Sequence, residues 1–268
     1  MLWLDGEPLA ESPSLDRAME FGDGLFETIA VKDNRPRLMT RHLQRLALGC
    51  ARLGIPPQDP AVLKAELARA ARIPGVAVLK LIVSRGAGGR GYAADPALPS
   101  RRWLAALTPR PQPARYALDG VGMRTLTTRL AEQPLLAGIK HLNRLEQVLG
   151  RRELVDPVIA EGLMLDVSGR VVCGTMSNVY AVIDGAILTP SVERAGVAGV
   201  MRAALIDAWR AQGTVVIVRD VSPSELAGAS EIFLSNALIG VWPVAALDGR
   251  PYRPGPQARA AAASVEAW

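Results

Sequence analysis

The chain has 268 residues, 49% of them hydrophobic, and a formal charge of +5. That is ample for a buried core and suits one large domain or two smaller ones. No stretch is long and apolar enough to span a bilayer, and the opening "MLWLDGEPLAESPSLDR" lacks the basic-then-apolar pattern of a signal peptide, so a soluble cytoplasmic protein is expected. The two cysteines, Cys50 and Cys173, are isolated thiols that fit a reducing compartment. With His42 and His141 they form no set with zinc-ligand spacing, so no metal is expected. No G-x-S-x-G elbow supports a serine hydrolase. Only Lys32, Lys64, Lys80 and Lys140 among the 31 basic residues are lysine. The arginines are dispersed and aromatic residues scarce, which reads as coding bias rather than nucleic-acid binding and is compatible with an anionic small substrate.

In chain order, "LWLDGEPL" predicts two short strands about an Asp5-Gly6 turn, and "LFETIAVKDNRPRLM" two more about Asp33-Asn34. Leu43, Leu46, Cys50 and Leu53 share one face of a helix over 40–53 that Gly54 stops. A second helix is expected over 60–72, with strands over 75–84 and 102–108. The proline-rich "PRPQPARYALDG" lacks periodicity and reads as a linker at 110–119, between a smaller domain at 1–109 and a larger one at 120–268. Beyond it come a strand over 120–128, a helix over 143–155 and hairpins about Ser168-Gly169 and Asp184-Gly185. A helix opens near Val200, a strand follows in "TVVIVRDV", Ser222 and Glu225 form a capping box, and "EIFLSN" is a late strand. Hairpins with intervening helices point to two α+β halves, not a doubly wound parallel sheet.

Four segments carry candidate chemistry. "GAGGRG" at 86–91 matches a dinucleotide fingerprint, but no helix follows it. It reads instead as a glycine loop presenting Arg85, Arg90 and Tyr92, either as donors for a carboxylate or as ordinary solvated side chains. Lys140, in the apolar "LLAGIKHLN", is open between a surface lysine at a helix entrance and a desolvated, nucleophilic amine. "AGVAGVMRAAL" places a glycine turn before a helix whose free N–H groups suit a phosphate. "LSNALIGVWPV" turns at residues 235–237.

Together, "SLDRAMEFGDGLFET", "RHLQRL", "SRGAGGRGY", "LAGIKHLNRLEQVL", "SNVY", "AGVAGVMR" and "SNALIGVWPV" resemble the fold-type IV pyridoxal-phosphate enzymes, the family of branched-chain and D-amino-acid aminotransferases. "SRGAGGRGY" and "AGIKHLNRLEQVL" resemble its lyase branch, which acts on 4-amino-4-deoxychorismate in folate biosynthesis. The resemblance implies pyridoxal 5′-phosphate as cofactor, a two-domain fold with the cofactor between the domains, a small dicarboxylate substrate and a homodimer. It implies that Lys140 carries the cofactor as a Schiff base and transfers protons, and that Arg45 binds its phosphate. The amides of Val200 and Met201 and the turn at Asn236-Ala237 complete that cradle, and Asn143 approaches the 3′-oxygen. Arg90, Tyr92, Arg85 and Phe26 are implied on the substrate side.

One position departs from the family. Its "T-E-x-x-x-x-N" motif places a Glu on the pyridine nitrogen, whereas "VVCGTMSNVY" has Cys173 there. A thiol is no carboxylate partner, so the electron sink is expected to be weaker. That favours a lyase, whose product becomes aromatic, over an aminotransferase acting on D- or branched-chain amino acids. A non-enzymatic anion-binding module is the alternative of a different class.

Overall fold

A computed structural model describes residues 3–4, 7–8, 15–89, 91–95, 97–108 and 112–268. Strands β1 (Trp3–Leu4) and β2 (Glu7–Pro8) pair antiparallel, and the expected Asp5-Gly6 turn lies outside the described residues. Helix α1 (Arg17–Phe21) follows, capped by the Asp16 side chain. Then come β3 (Gly24–Lys32), β4 (Arg35–Pro36), α2 (Met39–Leu53), α3 (Pro60–Ala70), β5 (Val78–Ser84) and β6 (Arg101–Leu107). The four strands form an antiparallel sheet in the order β4-β3-β5-β6. Alternation along the strands divides its faces. Leu25, Ile29, Leu79 and Leu81 pack on Leu43, Leu46 and Cys50 of α2 and on Leu63 and Leu67 of α3. Phe26 and Thr28 take the other face and line a cavity.

Within the stretch read as a linker, α4 (Arg115–Leu118) forms and sets the Tyr116 ring 5.0 Å from Trp242. Beyond it lie β7 (Val121–Leu130), α5 (Leu145–Arg152), β8 (Ile159–Asp166), β9 (Val171–Gly174), β10 (Asn178–Ile183), β11 (Ala186–Pro190) and α6 (Val200–Ala211). The chain ends with β12 (Val216–Arg219), α7 (Pro223–Ala227), β13 (Glu231–Asn236), β14 (Gly240–Leu247), β15 (Arg250–Pro251) and α8 (Pro256–Glu266). The second sheet runs β12-β11-β10-β13-β14-β7-β8-β9, with β15 beside β14. Its hairpins are antiparallel as expected, but β11–β12, β14–β7 and β7–β8 join in parallel. Met201, Leu205 and Trp209 of α6 and Ala258, Ala261 and Val265 of α8 bury one face against Tyr180 and Phe233, whose rings stack at 4.8 Å. The class is α+β, as the hairpin pattern predicts.

Helix α5 starts two residues later and ends three earlier than its periodicity suggests. The backbone just before it is taken by the first sheet: Phe26 N–H donates to the Lys140 carbonyl at 2.9 Å and Leu142 N–H to the Gly24 carbonyl at 3.0 Å. The capping box at Ser222 is present. Among the described residues no helix is long and apolar enough to cross a membrane.

Leu79 is wholly buried between β3 and the helices, whereas Leu118 is 73% exposed. Leu79→Ala is therefore expected to cost about 2–5 kcal/mol of stability by leaving a cavity. Leu118→Ala should stay within about 0.5 kcal/mol. Urea unfolding of both variants measures the contrast.

Candidate active site

Residues 131–144 cross from β7 to α5 and are held from two sides. Gly138 N–H donates to Gly196 at 3.0 Å, and Ala198 N–H donates back to Gly138 at 2.9 Å. Gly138 adopts φ +80°, a left-handed conformation that glycine adopts without strain. Ile139 then buries itself in the first sheet's core. The next side chain, Lys140, lines a cavity of about 370 Å³.

The Lys140 ammonium lies 4.3 Å from the centre of the Phe26 ring. Burial lowers its pKa to about 8, the Arg45 charge pushes the same way, and Glu27 opposes them. An amine with that pKa is partly unprotonated at neutral pH and is a nucleophile.

Arg45 lines the same cavity from α2. Its Nε donates to Glu27 Oε1 at 2.8 Å and its Nη1 to the Ala198 carbonyl at 3.0 Å. Glu27 is 1% exposed and also meets His42 Nδ1 at 2.6 Å. Burial alone would raise the Glu27 pKa, but the bonds from His42 and Arg45 outweigh it and hold the carboxyl below its usual range. His42, Arg45 and Leu46 share one face of α2, so the strand's inward carboxylate meets both polar side chains at once. Glu27 and His42 were not singled out from the sequence. The parity of Glu27 with the core residues Leu25 and Ile29 is the signal that marks it as inward.

Helix α6 opens beside Arg45. Its N-cap, Gly199, supplies no side-chain cap, so the first amides, Val200 and Met201 among them, are free of one. A Cβ at Gly199 would sit 2.1 Å from Asn178 Oδ1, so only glycine lets the two segments approach. Val200 is on the cavity wall, and the Met201 side chain is in the core behind it. Asn236 and Ala237 also line the cavity. Asn236 Oδ1 accepts from the Leu238 and Ile239 amides at 2.8 Å each, which fixes the turn.

Cys173, on β9, lines the wall with its thiol pKa pushed up to about 12, first by burial. Asn143 is not on this wall. It is exposed and donates to the Gly22 carbonyl at 3.2 Å. Its neighbour Arg144 is on the wall, with Nε donating to the His141 carbonyl at 2.9 Å. Burial lowers the Arg144 pKa to about 10. Arg144, Gln147 and Thr28 are wall residues that the sequence did not mark.

Arg85 and Tyr92 do not line the cavity. Arg85 donates to Asp23 at 2.7 Å and to the Leu53 and Gly54 carbonyls at the end of α2, each at 2.7 Å. Tyr92 is 89% exposed, its ring 5.4 Å from Phe21. Arg90 lies outside the described residues.

The site thus joins a desolvated amine, a buttressed guanidinium and an uncapped helix N-terminus, an arrangement suited to a phosphorylated aldehyde. Residues 24–247 match the Amino-transferase class IV family, and the chain belongs to it. Its fold is that of the fold-type IV pyridoxal-phosphate enzymes. The crystal structure of 4-amino-4-deoxychorismate lyase from Pseudomonas aeruginosa superposes with a TM-score of 0.91 and 50% identity, covering 99% of this chain and 98% of that one. The aminodeoxychorismate lyase of Vibrio harveyi is 34% identical over 250 residues, 92% of this chain and 91% of the relative. A bifunctional aminodeoxychorismate lyase / D-amino acid transaminase of Mycobacterium tuberculosis is 29% identical over 98% of this chain and 96% of its own length.

The amine sets a measurable midpoint. In the cofactor-free protein, acylation of Lys140 by an amine-selective reagent should rise with pH about a midpoint near 8. Glu27→Gln removes the charge that raises this pKa, so the midpoint should fall. Peptide mapping of the labelled lysine across pH reads both.

Proposed function

We propose that the cavity binds pyridoxal 5′-phosphate and that the enzyme is a lyase converting 4-amino-4-deoxychorismate into 4-aminobenzoate and pyruvate. The observation that carries this is Lys140, a partly buried, desolvated amine with a pKa near 8 in one cavity with Arg45 and the open end of α6. The likeness to the Pseudomonas aeruginosa lyase supports the substrate.

The residues present fit the cofactor. Arg45, the first amides of α6 and the turn at Asn236-Ala237 hold the phosphate; Lys140 meets the aldehyde. When bound, the cofactor supplies a conjugated ring that withdraws electrons from the substrate's amino nitrogen. Lys140 Nζ accepts the proton at substrate C4. The C3–O bond breaks with its electron pair on oxygen, the ring becomes aromatic, and enolpyruvate leaves. Lys140 returns its proton to the enol carbon, giving pyruvate. The lysine thereby regains its free-base form, the state that its burial favours.

Phe26 forms the floor beneath Lys140. The Lys80 ammonium lies 5.6 Å from the same ring and forms no ion pair among the described residues. We assign it to a substrate carboxylate. The Arg85 donors are held by Asp23 and α2, so Arg85 serves the loop rather than the substrate directly, while Arg90 and Tyr92 remain assigned to the substrate side on the resemblance. A homodimer is part of this reading, supported by the exposed apolar side chains Leu145, Val148 and Leu149 along α5.

Incubation with 4-amino-4-deoxychorismate should release 4-aminobenzoate and pyruvate in equal amounts with no added keto acid. A requirement for a keto acid would identify a transaminase instead. Lys140→Ala should abolish both turnover and the visible absorbance of the bound cofactor; persistence of either rejects the assignment. Lys80→Met should raise KM about tenfold or more and leave kcat within about threefold, since one charged contact is worth about 1.5–3 kcal/mol.

A further inference from the structure

The cavity wall has an unusual charge make-up. Its ionisable side chains are Arg45, Lys140, Arg144 and Cys173; no Asp or Glu lines it among the described residues. The nearby carboxylates are committed elsewhere. Glu27 is bound by His42 and Arg45. Glu161 is wholly buried behind the wall and accepts from the Gly162 and Thr175 amides at 3.0 Å and from the Ser177 hydroxyl at 2.9 Å. Glu146 accepts from the Ala131 amide at 2.7 Å. Arg144 is within ion-pair distance of no carboxylate among the described residues, and Lys80 stands behind Phe26 as a further positive charge.

A pyridine nitrogen keeps a proton inside a protein only where an anion offsets the buried charge. With Lys140 engaged by the cofactor and Arg45 balanced by Glu27, this wall opposes that proton with the Arg144 cation. Among the described residues its one acidic group, Cys173, is a neutral thiol at physiological pH, and its buried amide acceptor, Gln147 Oε1, carries no charge. A thiol is a weak donor and a weaker acceptor. We propose that this wall holds the bound cofactor with its ring nitrogen unprotonated. The inference rests on the preceding assignment of pyridoxal phosphate to Lys140.

The consequence is selective. Transamination must store the electron pair of the broken C–H bond in the cofactor ring, and an unprotonated ring stores it poorly. In the lyase reaction the pair moves within the substrate: the C4–H bond breaks, the ring gains aromaticity, and the C3–O pair leaves with enolpyruvate. The wall therefore lets elimination proceed and suppresses transamination.

Nitrogen NMR of protein loaded with ring-¹⁵N pyridoxal phosphate tests this without turnover. At neutral pH the wild-type resonance should lie at the free-pyridine position. In Cys173→Glu, which places a carboxylate on the wall, it should shift to the pyridinium position. A pyridinium resonance in the wild type overturns the inference, and that spectrum decides even if the variant fails to fold. A folded, loaded Cys173→Glu that stays at the pyridine position overturns it too, because wall charge then does not set the protonation. A wild type that takes up no labelled cofactor overturns the preceding assignment, and this inference with it.

Discussion

The backbone of residues 138–142 is shared between the two sheets. On one side its carbonyl at Lys140 accepts from Phe26, and Leu142 donates to Gly24. On the other, Gly138 exchanges bonds with the loop that leads into α6. A side chain on this segment is fixed relative to both walls of the cavity. Ile139 turns into the first core and anchors the segment, so Lys140 must face the other way. The desolvation that lowers its pKa follows from this placement. So does its distance from Arg45, which α2 delivers from the far face of β3.

Arg45 depends on a second buried contact. A guanidinium at the edge of the cavity, with only water beside it, would adopt many rotamers and press its full charge on Lys140. Glu27 prevents both: it takes the Nε side of the fork, while the Ala198 carbonyl takes Nη1. The second carboxylate oxygen, Oε2, is shared by Arg45 Nη2 and His42 Nδ1, so Glu27 is satisfied despite being 1% exposed. The cluster delivers a positioned donor set with much of its charge already balanced.

Local chemistry made several elements legible in the sequence. The capping box at Ser222, the turn glycines Gly54, Gly169 and Gly185 and the apolar face of α2 each depend on a few neighbouring residues, and each appears where expected. Lys140 was different: its setting left a surface lysine open, and the resemblance of whole segments decided the reading. The sequence pattern places the start of α5 too early because Asn143 and Arg144 continue it, and nothing local reveals that the backbone before them pairs with a strand more than a hundred residues earlier. Arg85 stays open in the sequence, between a carboxylate donor and a solvated side chain, for the same reason. Its partners, Asp23 and the end of α2, come together only in the fold.

The two parts of the cavity wall are built on opposite electrostatic terms. Around Arg45, a buried carboxylate balances the cation, and the helix end offers amides rather than further charge. This end suits a phosphate dianion without making the pocket strongly repulsive to a protonated lysine. Around Cys173 and Arg144 no carboxylate among the described residues reaches the wall, although Glu161 lies directly behind it. The hydroxyls of Thr175 and Ser177 and three neighbouring amides turn toward that carboxylate and spend its acceptors on the loop itself. Glu161 thus orders the β9–β10 connection, yet contributes no acceptor to the cavity. The side chain at position 173 consequently decides whether this wall carries a carboxylate at all, because no Asp or Glu among the described residues lines it.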